Sequence, residues 1–173
     1  TRGALQQILS FGAAMVALLV VMVISGHLSG LGGSNGFGYY SMNLLSPAWP
    51  QKSGLFPGFQ EIIDATGGQY EGFNYLGAGF LLLLGAALVT GRTQLVGIGR
   101  RHWPLFLALA GFLLLALSNR IYLGDVRLVS INPVPSFMEQ FRSSGRFFWP
   151  VTYVLLISSV ALLMRANPRT GLF

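Results

Sequence analysis

Four long runs of uncharged, apolar residues constrain the fold of this chain more than any other feature. The runs cover residues 8–24, 73–90, 103–119 and 147–164. A helix of about 17 to 25 residues crosses the hydrocarbon core of a bilayer, which is roughly 30 Å thick. Four runs of that length in one chain of 173 residues predict four transmembrane helices rather than buried helices of a soluble protein. The predicted fold class is therefore an all-α, polytopic integral membrane protein.

The composition favours the same setting. Only 9% of the residues are charged, whereas soluble domains approach about 25%. The net charge of +6 could also suit a nucleic-acid-binding protein, but the positions of the charges indicate membrane topology, so no nucleic-acid partner is expected. The chain has no cysteine, which excludes a disulfide framework, a thiolate zinc site and a cysteine nucleophile.

The basic residues beside the apolar runs predict the orientation of the chain. Residues 1–7, 91–102 and 165–173 together hold six arginines and no acidic residue. The other two connecting segments, 25–72 and 120–146, hold all five acidic residues and five basic ones. Because Lys and Arg concentrate in cytoplasmic segments, both chain ends are predicted to be cytoplasmic and the two long loops extracytoplasmic. Residues 1–173 are predicted to form a single membrane domain of a longer protein.

The first long loop, residues 25–72, is predicted to be an ordered cap. It is rich in glycine, proline and aromatic residues, whereas a disordered linker would be poor in aromatics. A simple interfacial belt of aromatic side chains is the alternative. Near its end, the sequence DATGGQYE contains a Gly-Gly pair that allows a tight turn between Asp64 and Glu71. Two adjacent carboxylates could perform acid–base or metal chemistry, and a solvated loop is the alternative.

The second long loop, residues 120–146, contains a pattern typical of a short amphipathic helix. Ser136 would cap it, Glu139 would complete a capping box, Phe137 and Phe141 would share one face, and Gly145 would end it. Its arginines, Arg142 and Arg146, could then hold a phosphate, since guanidinium groups bind phosphate oxygens in pairs. Snorkelling at the membrane edge, or ion pairs with acidic residues of the same loop, are the alternatives.

Several functional classes find no support in the sequence. The chain contains no Walker A motif, and its apolar runs contain no acidic or basic residue. A P-loop ATPase is thus excluded, and a transporter or flippase built from these runs alone is disfavoured. The two histidines are predicted on opposite sides of the membrane, so no metal site is predicted.

Three strings carry a resemblance to a known family. GFGYYSMNLLSPAWPQ, GGQYEGFNYLGAG and FRSSGRFFWPV resemble the later membrane region of a bacterial multi-pass family, a domain of unknown function that is distantly similar to the GT-C glycosyltransferases. The resemblance implies an enzyme of the bacterial inner (plasma) membrane. Such an enzyme would transfer a sugar from a polyprenyl-phosphate donor, outside the cytoplasm, to a glycan, lipid or protein acceptor.

The resemblance also implies roles for particular residues. The lipid-linked phosphate would be bound by Arg142 and Arg146. The acceptor or sugar pocket would be lined by Glu71, Tyr70 and Asn74, and part of the cap would be formed by Tyr39, Tyr40 and Asn43. No catalytic residue is identified, because the first long loop lacks the paired acids typical of these enzymes. The catalytic acid is expected upstream of Thr1, and a divalent metal is expected only if that upstream part supplies an acidic motif.

A non-catalytic role is the main alternative. In that case the chain would be a membrane subunit or scaffold whose aromatic first loop binds a partner protein. The lipid bilayer is an expected partner in either case, and other membrane proteins would cover part of the helix surface.

Overall fold

The computed structural model describes residues 2–25, 36–136 and 138–166. In these ranges the chain forms helices α1 to α4, strands β1 and β2, and two short 3₁₀ turns. The helices are α1 (Arg2–Ile24), α2 (Ala78–Arg101), α3 (Trp103–Leu117) and α4 (Trp149–Ala166). The strands are β1 (Arg120–Leu123) and β2 (Val126–Ser130), and the 3₁₀ turns are Met138–Gln140 and Ser144–Phe148. The chain divides into two compact units, Thr1–Gly33 and Ser34–Phe173, and the first contains α1.

The prediction of an all-α protein with four transmembrane helices is wrong. Among the described residues, two helical stretches, Ala78–Leu95 and Ser144–Ala166, are long and apolar enough to cross a membrane. The apolar part of α1, Gly12–Ile24, and all of α3 are shorter. With 15 residues and a rise of 1.5 Å per residue, α3 is about 23 Å long, less than the bilayer core. The two strands also contradict the all-α class.

The start of α2 shows why the predicted run and the helix differ. The apolar run begins at residue 73, but the helix begins at Ala78 and continues to Arg101. The preceding residues are held in an extended loop, where the Leu76 amide donates a hydrogen bond of 3.0 Å to the carbonyl of Pro47. Gly77 then adopts a φ of 86°, which a residue with a side chain rarely adopts. Loop contacts therefore override hydropathy at this boundary.

The second long loop forms a β-hairpin that the sequence analysis did not predict. β1 and β2 pair antiparallel, with Arg120 opposite Ser130 and Leu123 opposite Val126, and a bulge lies between Ile121 and Tyr122. The two strands flank a Gly-Asp dipeptide, which is a recognised signal for a two-residue hairpin turn.

The amphipathic helix predicted from Ser136 is also absent from the described residues. Only the 3₁₀ turn Met138–Gln140 forms there, and Phe137 lies outside the described residues. So short a segment cannot repay the cost of nucleating an α-helix, whereas 3₁₀ turns are common in short pieces. Gly145, the predicted end of that helix, instead lies inside the second 3₁₀ turn, Ser144–Phe148.

Helices α2, α3 and α4 pack together. α3 follows the end of α2 and runs in the opposite direction, so that its last residues lie near the starts of α2 and α4. The segments just before α2 and α4 are joined by a hydrogen bond from Asn74 to Gly145. Further along, Gly91 lies against the side chain of Leu162. α2 and α4 thus run in the same direction from a common end. A buried apolar cluster at that end contains Met42, Ala116, Leu117, Phe148 and Val151.

Candidate functional site

Two buried glycines bring the two loops into backbone contact at the common end of α2 and α4. Gly72 belongs to loop A, residues 36–77, and Gly145 belongs to loop B, residues 118–148. A Cβ atom on Gly145 would overlap the Cα of Gly72. The Gly145 amide also donates a hydrogen bond of 3.0 Å to the carbonyl of Tyr40. Because only glycine allows this approach, the neighbouring residues Glu71 and Arg146 project from adjacent points of the backbone.

Asn74 stabilises this contact between loop A and loop B. Its side chain is buried, and its Nδ2 donates to the carbonyl oxygens of Gly72 at 2.8 Å and Gly145 at 2.9 Å. Its backbone amide donates to Ser46 Oγ at 2.6 Å. Asn74 was predicted to line a substrate pocket, and the structure places it beneath the surface, joining loop A to loop B.

Arg142 and Arg146, called the arginine pair below, converge on one carboxylate. Arg146 Nη2 lies 3.2 Å from Glu71 Oε2, and Arg142 Nη2 lies 3.8 Å from Glu71 Oε1. The side chains of Arg142 and Arg146 are 62% and 57% exposed, whereas that of Glu71 is 18% exposed. Two positive charges and one negative charge leave a net charge of +1 on these three residues. Both guanidinium groups retain donors that face solvent.

Tyr40 holds one of the two arginines in place. Arg142 Nη2 donates a hydrogen bond of 3.2 Å to the hydroxyl of Tyr40, and the guanidinium carbon lies 5.0 Å from the centre of the Tyr40 ring. A cation within about 6 Å of a ring centre is attracted by the ring face. The hydrogen bond to Tyr40, assisted by the charge of Glu71, raises the pKa of Arg142 above its ordinary value. Arg142 therefore stays cationic at every physiological pH.

Tyr39, Tyr40 and Tyr70 form a tyrosine surface beside the arginine pair. The rings of Tyr39 and Tyr40 meet edge to face at 4.9 Å between centres, and those of Tyr40 and Tyr70 do so at 6.1 Å. Tyr39 and Tyr70 are exposed. Desolvation by its surroundings, with further contributions from Tyr40 and Glu71, raises the pKa of Tyr70 above its ordinary value. Its hydroxyl therefore remains protonated near neutral pH and can donate a hydrogen bond.

Asn43, predicted to be part of the cap, joins the cap to the hairpin. Its side chain is buried, and its Nδ2 donates to Gln69 Oε1 at 3.0 Å and to the carbonyl of Gly124 at 2.8 Å. Its Oδ1 accepts a hydrogen bond of 3.0 Å from the Gly124 amide. The turn of the hairpin is thus fixed to loop A, and Asn43, like Asn74, supports the site from below.

The two carboxylates of the DATGGQYE segment have different partners. Asp64 Oδ1 accepts a hydrogen bond of 2.9 Å from the Gln69 amide, while Glu71 turns to the arginine pair. Within the described ranges, no group of three or more His, Cys, Asp or Glu side chains is arranged to hold a metal ion. The charge of this surface comes from arginines and one carboxylate.

Sequence reasoning missed a second feature of loop B, a cavity of about 230 Å³. It is lined by Phe37, Asn119, Arg120, Asn132, Val134 and Glu139. Its walls come from loop A, from the residues just after α3 and from the segment after the hairpin, so no local spacing pattern predicts it. The unpredicted hairpin is what brings these segments together.

In the part of the chain that the structure describes, two helical stretches are thus long and apolar enough to cross a membrane, and the exposed arginine pair lies at their common end as a candidate anion site. Over residues 1–173 the chain matches the family described as Domain of unknown function (DUF6311), and it belongs to that family. Neither a curated protein nor a solved structure is significantly similar to it.

Proposed function

We propose that this chain is part of a membrane-embedded glycosyltransferase-like protein that binds a polyprenyl-phosphate-linked sugar at the arginine pair. One observation carries the proposal: two exposed guanidinium groups share a single carboxylate, so the surface keeps a positive charge and unused donors. Arginine binds phosphate through paired, charge-assisted hydrogen bonds. The donor is a phosphodiester with one negative charge, which would neutralise the net charge of +1 that the arginine pair and Glu71 leave.

The surroundings of the arginine pair suit a sugar joined to that phosphate. Tyr39 and Tyr70 are exposed aromatic side chains with hydroxyl groups, and Glu71 supplies carboxylate oxygens that accept hydrogen bonds from sugar hydroxyls. The resemblance of three sequence strings to a family distantly similar to GT-C enzymes supports the choice of a glycosyl donor.

In the proposed reaction, an acceptor hydroxyl forms a bond to the anomeric carbon while the bond from that carbon to the phosphate oxygen breaks. The hydroxyl proton passes to a general base, and polyprenyl phosphate leaves with the bonding electrons. Negative charge therefore grows on the phosphate as the bond breaks. Arg142 and Arg146 would stabilise that charge, which is the usual role of fixed cations at a leaving group.

The position of the arginine pair along the helices suits a lipid-linked donor. Arg146 lies three residues before α4 begins, within the apolar stretch Ser144–Ala166 that is long enough to cross a membrane. A phosphate at that level would lie at the membrane surface with its polyprenyl chain in the bilayer. The opposite helix ends carry Arg100, Arg101 and Arg165 and no acidic residue, so we propose that they are cytoplasmic and that the site faces outward from a bacterial plasma membrane.

Binding of polyprenyl phosphate to the purified full chain tests the proposal. Neutral polyprenol serves as the comparison ligand because it has the same chain and no phosphate. Arg142→Gln and Arg146→Gln are expected to weaken binding of the phosphate and to leave binding of polyprenol unchanged. Arg127→Gln, on an exposed position of β2, is the matched control. Equal binding of both ligands by the unaltered chain, or wild-type phosphate binding by both arginine variants, would refute the proposal.

One observation favours a partner-binding function as a second candidate. Loop A exposes apolar side chains at Leu55, which is 86% exposed, and at Phe56 and Ile62. A partner protein that buries them would gain from removing this apolar surface from water. Under this candidate, Leu55→Ser would abolish co-purification of a stoichiometric partner, while Arg146→Gln would not.

A further inference from the structure

A second candidate site lies between the helices, towards the ends opposite the arginine pair. It is a cavity of about 330 Å³, called the helix cavity here. That volume falls within the usual range for small-ligand pockets, about 300 to 1,000 Å³. The residues that line it extend along α2 from Leu84 to His102, and they also come from α3 and α4. At 1.5 Å per residue, this lining is about 27 Å long, which gives the cavity an elongated form.

The walls of the helix cavity are apolar over most of this length. Aliphatic side chains from α2 and α3 supply much of the lining, among them Leu84, Leu88, Leu95, Ile98, Leu105 and Leu109. α4 contributes further aliphatic residues and the small side chains of Ser158 and Ser159. A narrow apolar channel along a helix bundle suits a hydrocarbon chain better than a polar metabolite.

One end of the helix cavity is basic. Arg165, in the last turn of α4, and His102, between α2 and α3, both belong to the lining. Arg100 and Arg101 lie in the last turn of α2, close to His102 in sequence. The sequence has no acidic residue between Glu71 and Asp125, and none after Glu139. Helices α2, α3 and α4 therefore provide no carboxylate to neutralise this end.

We infer that the helix cavity binds an acyl chain of an anionic phospholipid, with the lipid phosphate at Arg165 and His102. Charge complementarity selects this occupant, because an anionic phospholipid supplies both a hydrocarbon chain for the apolar walls and the negative charge that α2, α3 and α4 lack at the basic end. Basic pockets between membrane helices are a known setting for anionic headgroups. The inference concerns a different site from the arginine pair, and it does not require the chain to transfer sugars.

Native mass spectrometry of the purified full chain tests the inference with two lipids that have identical acyl chains. Phosphatidylglycerol is the anionic probe and phosphatidylcholine the zwitterionic one. We expect phosphatidylglycerol to bind at least about fivefold more tightly, the effect of roughly one basic residue near a membrane surface. Arg165→Gln should remove this preference. Arg92→Gln, an exposed arginine of α2 outside the cavity lining, makes the same change in charge and should retain it.

A second variant tests the apolar channel without altering charge. Ser158→Trp places a large ring in the cavity lining and should weaken binding of both lipids, provided circular dichroism shows an unchanged helix content. Glycerol phosphate, which carries the headgroup charge without an acyl chain, should not displace phosphatidylglycerol at equal concentration.

Four results would overturn the inference: equal binding of the two lipids, an unchanged preference in Arg165→Gln, an equal loss in Arg92→Gln, or displacement by glycerol phosphate. Arg165→Gln should cause the same loss in a chain that also carries Arg142→Gln and Arg146→Gln, so the lipid inference and the proposed function can fail independently.

Discussion

Removing the negative charge of Glu71 is expected to strengthen phosphate binding at the arginine pair. Glu71 lies 3.2 Å from Arg146 and 3.8 Å from Arg142, so it occupies donors that a phosphate would use. It also repels any anion that reaches the same guanidinium groups. Glu71→Gln keeps the shape and hydrogen-bonding capacity of the side chain and changes the net charge of the three residues from +1 to +2.

The size of the effect follows from the geometry. A phosphate oxygen bound to the arginine pair would lie about 4 to 6 Å from the Glu71 carboxylate, given these contacts and ordinary hydrogen-bond lengths. Two unit charges at that separation repel by about 1 kcal/mol in water. Because the arginines are exposed, the aqueous value is the appropriate one. Glu71→Gln should therefore tighten binding of polyprenyl phosphate about fivefold.

Calorimetric titration at low and high salt measures this change. Screening at 1 M salt reduces the Debye length to about 3 Å, so the gain should shrink as salt is added. Glu61→Gln, a substitution of an exposed glutamate in the same loop, is the matched control and should bind as the unaltered chain does. The thermal midpoint should change little, since ion pairs with exposed partners contribute about 1 kcal/mol or less. Weaker binding by Glu71→Gln would refute the reasoning, because it would make Glu71 a residue that positions the arginines for the ligand.

Three further predictions concern the framework. Gly145→Ala should destabilise the chain by about 1 to 3 kcal/mol through overpacking against Gly72, measured as a lower thermal midpoint, whereas Gly54→Ala, which has open space, should not. Asn74→Ala should lower the free energy of unfolding by about 1 to 3 kcal/mol, because it removes two buried hydrogen bonds. The exposed Asn132→Ala is the control and should not change the thermal midpoint. Equal thermal midpoints for the two variants would show that Asn74 does not stabilise the contact between the loops. Single cysteines at Ser53 and Ser136 should react with an impermeant thiol reagent in intact cells, and one at Gly99 should not; labelling of the Gly99 position would invert the proposed topology.

The charged members of the candidate site could be named from the sequence, although their contact could not. Two local patterns are visible in the sequence: Arg142 and Arg146 lie close to Gly145, and Glu71 directly follows Tyr70. Their meeting depends on Gly72 and Gly145, which are 73 positions apart, and on Asn74, whose hydrogen-bond acceptor lies 71 residues further along the chain. The sequence contains no local signal for such a distant contact. The resemblance implied that Asn74 lines a pocket and that Asn43 forms part of the cap, and no local pattern indicated that both side chains are buried and join distant segments.

The errors in the fold have a different origin. Hydropathy located the apolar stretches of α2 and α4. The first residues of the predicted run 73–90, however, belong to loop A, and the helix begins at Ala78. The hairpin was missed although the Gly-Asp dipeptide between IYL and VRLVS is a local signal for it. The capping-box pattern at Ser136 and Glu139 and the spacing of Phe137 and Phe141 favoured a helix in loop B, but the segment is too short to form one.

The backbone contact between Gly72 and Gly145 also affects the entropy of binding. Since the two loops meet main chain to main chain, Arg146 and Glu71 start from a fixed separation that no side-chain repacking can widen. A ligand that replaces Glu71 as the partner of Arg146 therefore requires only rotation of these side chains, while the backbone of the two loops keeps its position. The ordering cost falls on a few rotamers rather than on two mobile segments, which is the advantage of a preorganised receptor.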